Sequence, residues 1–241
     1  LGGLATLSPI VLHDPHLTNS LLLTTIIGSQ LPDSDTILKL RNNAKYLKHH
    51  RGITHSIPAV ILWTLSLSII MTLFNNREHY GLYLLWSFIA VGVHVFVDLF
   101  NAYGTQALRP FSKRWIAFGI INTFDPIIFA IHLIGVPFVI FHYRAGPICV
   151  MLYLIMVLYY AFRYQQKRIV IHTVTNKLPD VKRVYVSPSI KYTHYHIVAS
   201  TDTHHYVGKI KKRIFKIHDV FKRVPLPVIE DVKAAFKDEN V

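Results

Sequence analysis

Tyr80 to Phe100 is an uninterrupted apolar run in which Asp98 is the one charged side chain. An ionisable group at membrane depth is costly and marks a function or a specific partner. His94 stands four residues before it, and that spacing puts both on one helix face. A ring nitrogen and a carboxylate one turn apart begin a zinc or manganese site. The same pair could equally be a buried hydrogen bond between helices. Asp33 and Asp35, in Leu31-Pro32-Asp33-Ser34-Asp35, open an earlier polar loop. His50, Arg51 and His55, in His49-His50-Arg51-Gly52-Ile53-Thr54-His55-Ser56, close it. Asp125 falls two to three turns into a later apolar run.

These groups can meet only if helices bring them to one side. The chain has 241 residues, 51% apolar and 16% charged, with a mean hydropathy of +0.34. A soluble domain carries roughly 25% charged residues, so a membrane protein is expected. One cysteine, Cys149, excludes an internal disulfide framework and a cysteine-based zinc cluster. Ile57–Phe74, Tyr80–Phe100, Ile116–Phe141 and Ala145–Phe162 each approach or exceed the ~20 apolar residues that cross a bilayer as a helix. Leu17–Leu31 is a shorter fifth candidate, and Leu1–Leu12 reads as the tail of a sixth. The chain begins with Leu, so a preceding segment is expected.

Loop charge sets the orientation. Loop 32–56 holds Lys39, Arg41, Lys45, Lys48 and Arg51; the next holds Arg77; the third holds Arg109, Lys113 and Arg114; the fourth holds Arg144. The tail opens with Arg163, Lys167 and Arg168. Rich and poor loops alternate, and the rich ones belong in the cytoplasm. Asp33, Asp35, His50, His55, His94, Asp98 and Asp125 thus converge on one cytoplasm-facing mouth. One or two divalent ions with mixed nitrogen and oxygen ligands suit it, activating water and offsetting anionic charge. Arg41, Arg51 and Arg109 lie on the same side and can hold a phosphate oxygen.

Residues 1–162 carry ten of the 26 Lys and Arg, and residues 163–241 carry sixteen. The second segment reads as a small cytoplasmic β-rich domain. Strands are expected at Ile169–Val174, Val184–Val186, Thr193–Ser200, His204–Ile210 and Arg213–Ile217, with a turn at Thr201-Asp202-Thr203. A closing helix is expected over Pro227–Lys237. The basic surface suits anionic lipid headgroups or a protein partner. Nucleic acid is disfavoured, since no aromatic-glycine or recognition-helix pattern is present. His194 and His196 share a strand face. Trp63, Trp86 and Trp115 read as span and interfacial aromatics.

Pro32-Asp33-Ser34-Asp35, His50-Arg51-Gly52-Ile53-Thr54-His55-Ser56 and His94-x-x-x-Asp98-x-x-Asn101-x-Tyr103-Gly104 resemble the LexA-binding, inner-membrane-associated metal-dependent hydrolases of bacteria, over about residues 1–145. That family is distantly similar to the helical zinc-dependent phospholipase C and P1 nuclease fold. The resemblance implies Asp33 or Asp35, His55, His94 and Asp98 as ligands, and localisation to the bacterial inner membrane. The second phospholipase-type motif, His-x-x-x-Glu, is absent; Asp125 and His132, seven apart, do not reproduce it.

The expectation is an all-α polytopic membrane bundle of four to six spans (residues 1–162) followed by a β-rich cytoplasmic domain (163–241). Asp33, Asp35, His55, His94 and Asp98 hold zinc or manganese. His50 and Asp125 move protons, while Arg41, Arg51 and Arg109 bind substrate. The activity is hydrolysis of a phosphoester or a lipid-derived molecule. The rival reading is a metal-ion or proton-coupled transporter with His94, Asp98, Asp125 and His132 as its relay.

Overall fold

Local chemistry starts the helices. Asp14, Ser56 and Asp125 each stand one residue before a helix with proline in its first positions, and each side chain accepts backbone N–H groups that the helix leaves open. The computed structural model describes residues 1–40, 51–75, 77–141 and 144–224, with the backbone alone at 37–40. His49, His50, Arg41, Lys45 and Lys48, and the helix expected over Pro227–Lys237, lie outside the described residues.

The first segment contains α1 (Gly2–Ala5), α2 (Pro9–Leu12), α3 (Pro15–Gly28), a 3-10 helix (Leu31–Leu40), α4 (Ile57–Phe74), α5 (Tyr80–Asp98) and α6 (Pro126–Ile140). Helix α7 (Ala145–Lys177) follows, then β1 (Arg183–Pro188), β2 (His194–Ser200), β3 (His204–Lys211) and β4 (Ile214–Lys222). The chain divides into two units, Leu1–Gln166 and Lys167–Val241.

In the first unit α3, α4 and α5 pack around Leu17, Leu21, Leu67, Met71 and Tyr83. A separate cluster joins α6 and α7 through Ile131, Leu152 and Met156. Among the described residues, three helices are long and apolar enough to cross a membrane: α4, α5 with the short turn before it, and α7. Only 28% of each apolar window is buried inside the protein. Ile61, Leu62, Leu65 and Phe74 face outward, a surface suited to lipid. Helices α3 and α6, at 14 and 15 residues, fall short of the roughly 17–25 a span needs.

Three sequence expectations are corrected. Leu1–Leu12 is two short helices rather than one helix tail. Ile116–Phe141 is not one helix. Its first part runs extended against the stretch after α5, with Thr105 and Ile116 bridged and the N–H groups of Gly119 and Ile120 donating to the carbonyls of Asn101 and Phe100. Ile169–Val174 is helical rather than a strand. Its β-branched residues suggested a strand, but Val170, Val174 and Leu178 recur every four residues, as one face of a helix does. That face is buried against the sheet with Val186, Tyr195, Ile197, Ala199, Ile210 and Phe215. The four strands form an antiparallel meander in the order β1-β2-β3-β4. The hairpin expected around Thr201-Asp202-Thr203 is present, with Ser200 opposite His205.

Candidate metal centre

Close packing of α3 on α5 brings the site together. The hydroxyls of Ser20 and Tyr83 are bonded at 3.0 Å. A Cβ on Gly28 would lie 2.9 Å from the Ala90 Cβ, so only glycine lets the helices approach this far. The end of α3 then sits beside the last turns of α5. Pro32 follows at once, and the chain turns into the 3-10 helix that carries Asp33 and Asp35. His55 lies just before α4 and is fully buried.

One ligand atom from each of Asp33, His55, His94 and Asp98 falls within 4.8 Å of all the others. His55 Nε2 is 3.1 Å from Asp98 Oδ2 and 3.6 Å from Asp33 Oδ1. His94 Nε2 is 3.7 Å from each of the same two oxygens. Donors held about 2.1 Å from a tetrahedral ion stand roughly 3.4 Å apart, which is the spacing of these pairs.

The surrounding bonds decide which atoms face inward. His94 Nδ1 donates to the Ser29 carbonyl oxygen at 2.6 Å, so in the neutral ring Nε2 keeps its lone pair. The Thr54 hydroxyl donates to Asp35 Oδ2 at 2.9 Å and therefore accepts from His55 Nδ1 at 3.0 Å. The Nε2 of His55 likewise presents a lone pair. Asp98 Oδ1 is taken up by Asn101 Nδ2 at 3.3 Å and the Arg51 guanidinium at 3.4 Å. Two imidazole lone pairs and two carboxylate oxygens thus point at one another. Asp33 Oδ1, His94 Nε2 and Asp98 Oδ2 are buried and make no hydrogen bond. Such a group needs a cation or extra protons at its centre. The electrostatics agree: the His94 imidazole beside it holds the Asp33 carboxyl below the usual carboxylate range, more than burial raises it, with His55 and Arg51 adding to the lowering.

Asp35 stands behind the four rather than among them. It is buried and fixes His55 through Thr54, while accepting from the Arg51 N–H at 3.4 Å. This is how a ligand histidine is oriented from outside the coordination sphere. Arg51 adopts a left-handed backbone, φ 62°, at a cost of about 1–3 kcal/mol for a side chain of this kind. Its carbonyl accepts from the Thr105 hydroxyl at 2.8 Å and the Gln106 N–H at 3.0 Å, which locks the loop. Gly104, also left-handed at φ 67°, is required there, because a Cβ would run into the Ile116 carbonyl. Asn101 Oδ1 accepts from the N–H groups of Tyr103 and Gly104, so it makes the turn and steadies Asp98 together.

Arg109 meets this region through its backbone, its carbonyl accepting from the Ile57 N–H at 3.3 Å. Asp125 is not brought to the four. It caps α6, with Oδ1 accepting from the N–H groups of Ile127 and Ile128 and Oδ2 from the Tyr159 hydroxyl. His132 Nδ1 bonds to the Ile128 carbonyl of its own helix at 2.8 Å. The transporter alternative is not favoured: Asp125 and His132 are taken up in capping α6, in the tie to Tyr159 and in a bond one turn back. Sequence reasoning missed Ser29, Thr54 and Thr105. Thr54 stood inside a motif of interest, whereas a backbone carbonyl such as that of Ser29 leaves no mark in a sequence. Trp63 was expected to be a span aromatic, yet its Nε1 also donates to the Thr54 carbonyl at 3.3 Å.

Lipid-suited helices with a mixed nitrogen and oxygen cluster at their ends define a membrane protein with a candidate metal site. The chain belongs to the YdjM inner membrane protein family, whose model matches residues 1–170. Residues 179–221 match the YfhP middle domain. The chain is similar to the Bacillus subtilis (strain 168) protein named "Uncharacterized protein YfhP", with 42% identity over 242 residues, covering all of this chain and 74% of that protein. No solved structure matches.

Proposed function

We propose that the chain is a membrane-bound metal-dependent hydrolase acting on a phosphoester or lipid-derived substrate at the cytoplasmic face of the inner membrane. The observation that carries this reading is the set of four inward-facing acceptor atoms on Asp33, His55, His94 and Asp98. The motif resemblance to LexA-binding metal-dependent hydrolases, and through them to the zinc phospholipase C and P1 nuclease fold, supports it. A bound divalent ion, zinc or manganese, supplies Lewis acidity and makes water acidic enough to attack near neutral pH.

The residues divide the remaining work. Asp33, His55, His94 and Asp98 hold the ion, and Asp35 orients His55. Arg51, Arg41 and Arg109 draw in and orient an anionic group. His50 takes a proton from the attacking water, whose oxygen joins phosphorus or an acyl carbon. The departing ester oxygen regains that proton from His50. The bundle has four to six spans, with the shorter apolar helices counted beside the three long ones. The basic loops and the tail lie in the cytoplasm, where the tail meets lipid headgroups or a protein partner.

Metal analysis of the full chain, purified without chelator, tests the reading. Near-stoichiometric zinc or manganese is expected, lost in His94→Ala/Asp98→Ala, together with hydrolysis in a panel of phosphodiesters and lipid esters. Metal-free wild-type protein from mild purification would overturn it.

A further inference from the structure

The two apolar clusters of the helical unit do not close on each other. A cavity of about 770 Å3 lies beside the second of them, lined by Ile131, Leu152 and Met156, inside the roughly 300–1,000 Å3 range of small-molecule sites. Its walls come from α3, α5, α6 and α7. One end is polar and includes His94 and Asp98, two of the four clustered donors, with Ser29 and Gln30 beside them. The other end is narrowed by Gly3, Leu22, Val139 and Cys149, with the Leu1 amino group donating to the Tyr153 hydroxyl beside them. Between the ends the wall is mostly apolar, as at Val93, Val97, Ile131 and Met156, with Thr25, His132, Tyr153 and Tyr160 as its polar members. Of the polar groups midway, His132 bonds back to its own helix.

The cavity follows α6 from Ile128 to Ile140, a length of about 18 Å at 1.5 Å per residue. Half of a ~30 Å hydrocarbon core is ~15 Å, so the cavity has room for one leaflet's depth of chain. Its lining includes Ile26, Val136 and Ile140, all exposed, an apolar rim suited to lipid. A water-soluble substrate has no use for such a wall.

The geometry points to a single long acyl chain as the occupant, seated so that the polar group it bears reaches His94 and Asp98. This rests on the hydrolase reading and narrows it: the substrate is an amphiphile with one long chain and an ester or phosphoester at its polar end. The chain supplies affinity, at about fourfold per buried methylene. The metal cluster supplies the chemistry.

The full chain in phosphatidylethanolamine–phosphatidylglycerol nanodiscs, labelled with a mid-chain diazirine analogue of palmitoyl lysophosphatidic acid, provides the test. Saturable labelling is expected at Val93, Val97, Ile131 and Val136. Unlabelled palmitoyl competitor should displace it at least tenfold better than an octanoyl one. Val93→Trp and Val136→Trp, on opposite walls, should each cut labelling at least fivefold with bound zinc unchanged. If both variants misfold, the wild-type labelling map and its competition decide alone. Labelling that does not saturate, or is as dense on Ile61, Leu62 and Leu65 of α4, would overturn the proposal. Asp98→Asn should lose zinc and keep the label. Saturable labelling in a wild-type protein that holds no zinc would keep the chain site and remove the hydrolase reading instead.

Discussion

Two groups of ionisable side chains sit in the helical unit, and they have opposite fates. At Asp125 and His132 the polar contacts tie helices: the carboxylate caps α6 and takes the Tyr159 hydroxyl of α7, and the imidazole Nδ1 bonds one turn back. At His94, His55 and Asp98 the outer atoms are tied to Ser29, Thr54, Arg51 and Asn101, and their inner atoms converge with Asp33 Oδ1. A polar residue in an apolar run is thus informative only with its partners known. The first group is explained by folding alone. The second is complete only with something at its centre.

The sharpest way to break this contrast is to remove one inner atom. Asp98→Asn or His55→Ala is expected to abolish stoichiometric metal in purified protein, read by mass spectrometry, and Asp125→Asn to leave it intact. Equal loss in both would erase the distinction. Weakening the outer ties comes next. Thr54→Val or Asp35→Asn should reduce metal affinity about 10–100-fold, measured by competition with a chelator of known affinity.

Acidification separates the two ligand types. The folded Asp33 carboxyl titrates below its ordinary value of about 3.9. Its ionised form therefore favours the folded site at all pH above that value, and this contribution fades only as pH falls through the lower folded value. Metal released as pH falls from about 7 to 5 would then report protonation of the imidazole ligands and not of Asp33. Retention of metal to pH 4 would contradict imidazole ligation. The smallest effect belongs to the closed group. Asp125→Ala should cost about 0.5–2 kcal/mol of stability through the lost cap, seen as a lower unfolding midpoint in detergent with metal content unchanged.

The sequence displayed the inner atoms better than their supports. Asp98 and His94 stood out because charge is rare in an apolar run and their spacing is one helical turn. Asp33 and His55 stood out through short motifs. The start of α6 was misread because hydropathy does not register that Asp125-Pro126 begins a helix, nor that Ile116 pairs with Thr105. The β-branched end of α7 was misread because residue type was weighed above the four-residue spacing of Val170, Val174 and Leu178. The strands themselves were legible, most clearly where one alternates against a buried face, as in Tyr195, Ile197 and Ala199.

The contact between Arg51 and Asp98 also fixes an order of events. With neutral imidazoles, two carboxylates and one guanidinium leave the pocket with a net negative charge. In that condition it repels phosphate and carboxylate groups. A divalent cation reverses the sign, and the same pocket then attracts them. On the hydrolase reading, loading would be sequential, cation first and anion second, and a short phosphate ester that lacks the long acyl chain should bind measurably only to metal-replete protein.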